Sequence, residues 1–356
     1  MSEMTSIGDM LANQVDRLLE DRVDHALLMA VEEGTFPTAL WAALDGLGVG
    51  DAMVPEDAGG AALPWRDMER LFHCLGARSA PVPLAETIIG RWILATAGVT
   101  VPEGALAVVA EPLTLDAAGR LSGRLPLVPW LPGAAHAVAV AAGEDGGARV
   151  CLVAAADVAA EPVGWRATIG RLPGAAVDFT GVTPLHVAEA AALPGAAEGL
   201  ATLAPLAVLR AVQMVGCLET ALALCVDYAG TRQQFGRPLN KFQAIQHLIA
   251  ELAELTAAAK MAARLGCIAL DRGDARFGPA VAKSRAGQSA TRGAAIAHQI
   301  FGAIGVTDEH SLHFLTRRLW QWRGEAGSEH WWAERLGREA IAAGGEHLWT
   351  TLTVAV

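Results

Sequence analysis

Apolar residues recur at Leu206, Leu209, Val212, Val215, Leu218, Leu222 and Val226, three or four apart, as one face of a helix requires. The same spacing resumes at Phe242, Ile245, Ile249 and Leu252. Between them Gly236 and Pro238 stop one helix and let the next begin, so the stretch reads as a helical hairpin. The pattern continues through Leu270 and again from Ala280 to Ile300, so residues 196–356 are expected to form a bundle of four long helices. Nearer the N-terminus, Leu11, Val15, Leu18 and Leu19 keep helical spacing, and Trp41 and Leu44 begin another face. Residues 1–112 therefore read as helices broken by short turns. Between about 113 and 195, short apolar runs at 137–142 and 150–155 alternate with Gly and Asp clusters, the mark of strands and turns. The expected class is α+β, mainly α: an N-terminal helical domain (1–112), a small middle β domain (113–195) and a C-terminal helical bundle (196–356).

Composition sharpens this picture. The chain is 53% hydrophobic and only 18% charged, so large buried helical surfaces are expected, part of them between subunits. A net charge of −11 argues against a nucleic-acid binder but leaves room for an anionic ligand met by local arginines. Cys74, Cys151, Cys217, Cys225 and Cys267 are odd in number and far apart, which indicates neither a disulfide framework nor a thiolate metal site. The acidic start lacks the form of a signal peptide, and no apolar run reaches the roughly 18 residues of a membrane span. A reducing cytoplasm is the expected compartment.

From spacing alone, the hairpin is a solvated turn and the glycines of residues 299–305 are a helix cap. Tyr228, Arg232, Phe235, Gly236, Pro238, Leu239 and Gln243 nevertheless match, at every position, the hairpin motif of the acyl-CoA dehydrogenase family, which the sequence resembles. The resemblance implies that Arg232, Phe235 and Gln243 contact FAD, largely a FAD held by the neighbouring subunit. A guanidinium suits a pyrophosphate because its planar fork donates two parallel hydrogen bonds. The run QIFGAIG is similar to the family's Gln-x-x-Gly-Gly-x-Gly passage. It implies that Gln299, Gly302 and Gly305 touch the ADP part of FAD, with Ala303 replacing one glycine. Val54, Pro55, Glu56, Gly59 and Gly60 add a weaker likeness in the N-terminal domain. The β domain departs from the pattern: no Gly-Ser-Asp loop follows Glu111-Pro112, and no hydroxyl residue closely follows Trp130.

The reaction that the resemblance implies is α,β-desaturation of an acyl-CoA thioester, which needs a carboxylate at the α carbon as base. Alignment from Arg317 sets Ala326 on the family's usual base position, with Glu325 one residue early; the alternative position before the hairpin holds Leu206. Glu325 is thus the candidate catalytic residue, with Arg323 expected to keep it ionised. Arg210 lies near the family's substrate residues but out of register. His310 and His313, three apart beside Glu309, suggest a capping or interface role, and no metal site is expected. The leading expectation is a FAD-dependent acyl-CoA dehydrogenase of fatty acid or sterol side-chain degradation, acting alone or as one subunit of a homo- or hetero-tetramer. An electron-transfer flavoprotein is the expected acceptor. The alternative is a non-catalytic partner that completes the FAD site of a base-bearing chain.

Overall fold

A computed structural model describes residues 6–163 and 168–354. Five helices open the chain: α1 (Ile7–Arg22), α2 (His25–Glu32), α3 (Thr38–Asp45), α4 (Trp65–Ala77) and α5 (Leu84–Thr96). Helix α1 begins where the Ser6 hydroxyl accepts the Asp9 N–H, and it buries Ala12, Val15 and Leu19, spaced three and four apart. The first N–H groups of α4 have no cap of their own; the Asp271 carboxylate accepts from Trp65 at 2.7 Å and from Arg66 at 3.1 Å. A negative charge there also suits the positive end of the helix dipole.

Nine strands follow: β1 (Leu106–Val108), β2 (Leu113–Leu115), β3 (Leu121–Ser122), β4 (Arg124–Pro129), β5 (His136–Gly143), β6 (Ala148–Ala154), β7 (Ala159–Val163), β8 (Gly174–Asp178) and β9 (His186–Glu189). One sheet runs β3-β2-β5-β6-β9, with β1 paired in parallel to the start of β5; the other runs β4-β8-β7. Strand β1 thus comes from residues whose pattern reads as the end of the helical region. Side chains of β5 alternate as a pleated strand requires. Ala137, Ala139 and Ala141 enter the core between the sheets, while Val138 and Val140 face the helical core.

The remaining chain is α6 (Leu203–Thr231), the short β10 (Gln233–Gln234) and β11 (Arg237–Pro238), α7 (Gln243–Asp271), α8 (Phe277–Phe301), α9 (Leu312–Gly324), α10 (Glu329–Ala343) and α11 (Gly345–Val354). Three long helices form, not four. The fourth place is shared by α9 and α10, because Ala326 and Gly327 take left-handed backbone angles, φ 53° and 81°, and break the run. Helix α6 is the centre of the molecule, packed by α4, α7, α8 and α9. Contrary to the sequence expectation, its 29 residues are long and apolar enough to span a membrane by composition. Their burial among other helices identifies them as the bundle's core helix.

Candidate functional site

The regions meet around a cavity of about 40 Å³. Its walls are Glu86 from α5, Val108, Ala110 and Glu111 at β1, residues 127–129 of β4, Leu206 and Arg210 on α6, and Glu325 and Ala326 in the α9–α10 turn. Arg210 is 3% exposed and is held by three elements. Its Nη2 lies 2.7 Å from Glu86 Oε1, a close ion contact outside hydrogen-bond geometry. Its Nε donates to Glu325 Oε2 at 2.8 Å and its Nη1 to Gln213 Oε1 at 2.7 Å. Burial works against this charge, but Glu325 and Glu86 more than offset it and hold the guanidinium above its ordinary pKa. The other oxygen of Glu325 accepts from Gln321 Nε2 at 2.6 Å. The expected neighbour Arg323 turns instead to Glu329, at 3.1 Å.

The turn itself is clamped through its carbonyls. Lys283, with no solvent exposure, donates from Nζ to Arg323 O at 2.9 Å and Gly327 O at 2.5 Å. The Trp332 indole N–H donates to Ala326 O at 2.9 Å. Burial pushes the Lys283 ammonium down to about 7, with Glu325 and Glu329 opposing the shift. Both oxygens of Glu325 are therefore engaged on a fixed backbone, beside a space with room for only a few waters. A ligand site for a molecule of cofactor size needs roughly 300 Å³ or more.

The residues expected at a cofactor lie elsewhere. Arg232 ends α6, 22 residues beyond Arg210, which at about 1.5 Å per residue is roughly 33 Å away. Arg232 and Gln243 are exposed at the hairpin, and Gln299 is exposed near the end of α8. A stack of Tyr228 on Phe301, centroids 4.4 Å apart, joins the two segments at one end of the bundle. Phe235, 92% exposed with φ 52°, stands at the hairpin tip against the edge of Phe242. A Cβ at Gly302 would meet nothing within 4 Å, so backbone is open to an approaching ligand there. Gly305 differs: it is buried, and a Cβ would lie 2.8 Å from Phe301 Cβ, so packing accounts for this glycine. This end offers an open guanidinium, two exposed amides and bare backbone, a donor set suited to a phosphate-bearing group. The cavity at Glu325 has no room for a flavin ring.

His313 Nδ1 bonds the His310 carbonyl at 2.7 Å, and no group of three or more metal-ligating side chains occurs among the described residues. Sequence reasoning missed Lys283 and Gln321 and dismissed Arg210. The available signal was a lone cation interrupting the apolar positions of α6.

Residues 6–100 match the family description "Acyl-CoA dehydrogenase, N-terminal domain", and residues 195–340 match "Acyl-CoA dehydrogenase, C-terminal domain". Acyl-CoA dehydrogenase FadE34 of Mycobacterium tuberculosis is 29% identical over 313 residues, covering 83% of this chain and 41% of that protein. Acyl-CoA dehydrogenase IpdE2 of the same organism is 37% identical over 100 residues, 28% of this chain and 30% of that protein. The match thus spans less than half the length of either relative. Among solved structures, the Tcur3481–Tcur3483 steroid ACAD superposes with a TM-score of 0.84 at 28% identity, over 95% of this chain and 98% of that one. The ChsE4–ChsE5 complex from M. tuberculosis superposes with a TM-score of 0.83 at 22% identity, over 95% and 98%, and supports the fold. Two family domains flanking a β sandwich, on a backbone that superposes over nearly its whole length, have one conclusion: the chain belongs to the acyl-CoA dehydrogenase family.

Proposed function

We propose that this chain is one subunit of a heteromeric, FAD-dependent acyl-CoA dehydrogenase and that it completes the flavin site of a base-bearing partner. The observation that carries the reading is the separation along α6. Arg232 stands roughly 33 Å along the helix from Arg210, so the hairpin end and the Glu325 turn lie far apart on this chain. A flavin held by Arg232 therefore presents its ring to another chain. FAD, when bound, supplies the hydride acceptor for α,β-desaturation of an acyl-CoA. On this chain, Arg232 grips the pyrophosphate, Gln243 and Gln299 donate from their amides, Gly302 admits the ligand against backbone, and Phe235 covers it. The α proton goes to a carboxylate of the partner, because both oxygens of Glu325 are engaged by Arg210 and Gln321.

Two comparisons support the division of labour. FadE34 is more than twice as long as the segment it shares with this chain, which leaves room in it for a second unit of the same size. The Tcur3481–Tcur3483 protein carries two names and is called a steroid ACAD, so a bulky sterol-type acyl group is the proposed substrate class. An electron-transfer flavoprotein is the proposed acceptor, and the cytoplasm the proposed site of action.

The test is the flavin content of the assembled complex. Arg232→Ala removes a charged hydrogen bond of about 1.5–3 kcal/mol, so FAD affinity falls at least tenfold. A variant that keeps its flavin removes Arg232 from the site. Glu325→Gln leaves turnover of the complex within a few-fold; a loss of several orders of magnitude makes Glu325 the base and ends the partner reading.

A further inference from the structure

We propose that Arg210 is the residue that bars acyl thioesters from this chain's own pocket, a plug standing where an acyl group would lie. The proposal rests on the partner reading above and explains how the second site is kept shut. Most of the cavity wall is apolar, from Val108, Ala110, Leu127, Val128, Leu206 and Ala326, the lining an acyl chain would prefer. Arg210 lies one helical turn after Leu206 and therefore on the same face of α6. Its guanidinium takes up the space, and about 40 Å³ is left over.

The plug is built to stay. Each of the three guanidinium nitrogens faces an acceptor at 2.7–2.8 Å, on α5, on α6 and in the α9–α10 turn. Swinging it aside would strand two largely buried carboxylates, which is far costlier than breaking a surface pair. The ring of Trp322, with its centroid 5.5 Å from the guanidinium carbon, closes one side. Lys283 and Trp332 fix the turn that carries Glu325, so the third wall cannot yield without breaking three carbonyl hydrogen bonds.

The experiment uses the full chain and neutralises the cluster together, as Arg210→Met with Glu86→Gln and Glu325→Gln, so that none of the three is left charged without its partner. Titration calorimetry with butyryl-CoA, and with free CoA as the control for contacts outside the pocket, reads the opening. Each buried methylene contributes roughly fourfold in affinity, so two give at least tenfold tighter binding of butyryl-CoA with free CoA unchanged. A folded triple variant with no gain overturns the plug. A second measurement is independent of that variant's folding. Leu206→Cys in the otherwise native chain reacts with iodoacetamide at least a hundredfold more slowly than Phe235→Cys at the hairpin tip, and equal rates overturn the plug. The partner reading fails by a different signal, bleaching of bound flavin by an acyl-CoA ester in the wild-type chain alone.

Discussion

Lys283 shows what a single side chain costs and supplies. Its ammonium has no solvent contact, and burial holds its pKa at about 7 when folded, against about 10.4 for an unfolded lysine. Between those values the unfolded chain binds a proton that the folded chain has shed, so folding stability rises with pH across that window. The burial cost is fully present below about pH 7. A neutral amine still has two N–H donors, so both carbonyl bonds of the turn survive deprotonation. In urea titrations, the stability of the wild type relative to Lys283→Met should climb by a few kcal/mol, in order of magnitude, from pH 7 to pH 10; parallel curves would exclude the shift. The cysteines tell a simpler story. Burial pushes Cys74, Cys151, Cys217 and Cys225 up to about 12 and Cys267 well above its ordinary value. None should react with Ellman's reagent at pH 8 in the native protein, and all five should react in denaturant. The hairpin that carries Arg232 was legible from the sequence, because Gly236 and Pro238 interrupt the helical spacing on either side of it. The roles of Arg210 and Lys283 were not, since they depend on partners 40 or more residues away, or on the tilt of one helix against another.

At the level of elements, long periodic helices were the readable part. The spacing of α6, α7 and α8 is set by burial of one or more faces, and it appears directly in the chain. The split between α9 and α10 was hidden, because a left-handed Ala326 has no sequence signal of its own. Strand β1 was hidden as well, being three residues long and paired to β5 across 27 intervening residues. Between α4 and α6 the helix contact distance is set by glycine. A Cβ at Gly76 would fall 2.0 Å from Gln213 O, and one at Gly216 would fall 2.2 Å from His73 O. The backbones of α4 and α6 therefore touch, and Cys217 Sγ donates to Gly76 O at 3.3 Å across the contact. Gly76→Ala should destabilise the chain by about 1–3 kcal/mol or more, since neither backbone can retreat without moving a core helix. A chemical melt with an unchanged midpoint would show that the crossing relaxes.

Among the described residues there are two cores. One runs without interruption from α1 through α8 and α9; the other is enclosed between the two sheets. The helical regions before and after the strands share one interior, which pattern along a chain does not reveal. Four large apolar side chains, Val226, Phe235, Ile304 and Val306, are exposed toward the hairpin end, with others spread over the rest of the surface. Light scattering should accordingly find at least two chains per particle at micromolar concentration, and a flavin-loaded monomer would contradict it. The Asp271 cap on α4 has a consequence in time. The carboxylate that completes the start of α4 arrives 206 residues after Trp65. At about 5–20 residues per second, a ribosome takes roughly 10–40 s to deliver it. Until then α4 emerges with the face meant for α7 uncovered. Nascent chains stalled before residue 271 should be digested readily by protease and held by chaperones, while chains released past α8 resist both.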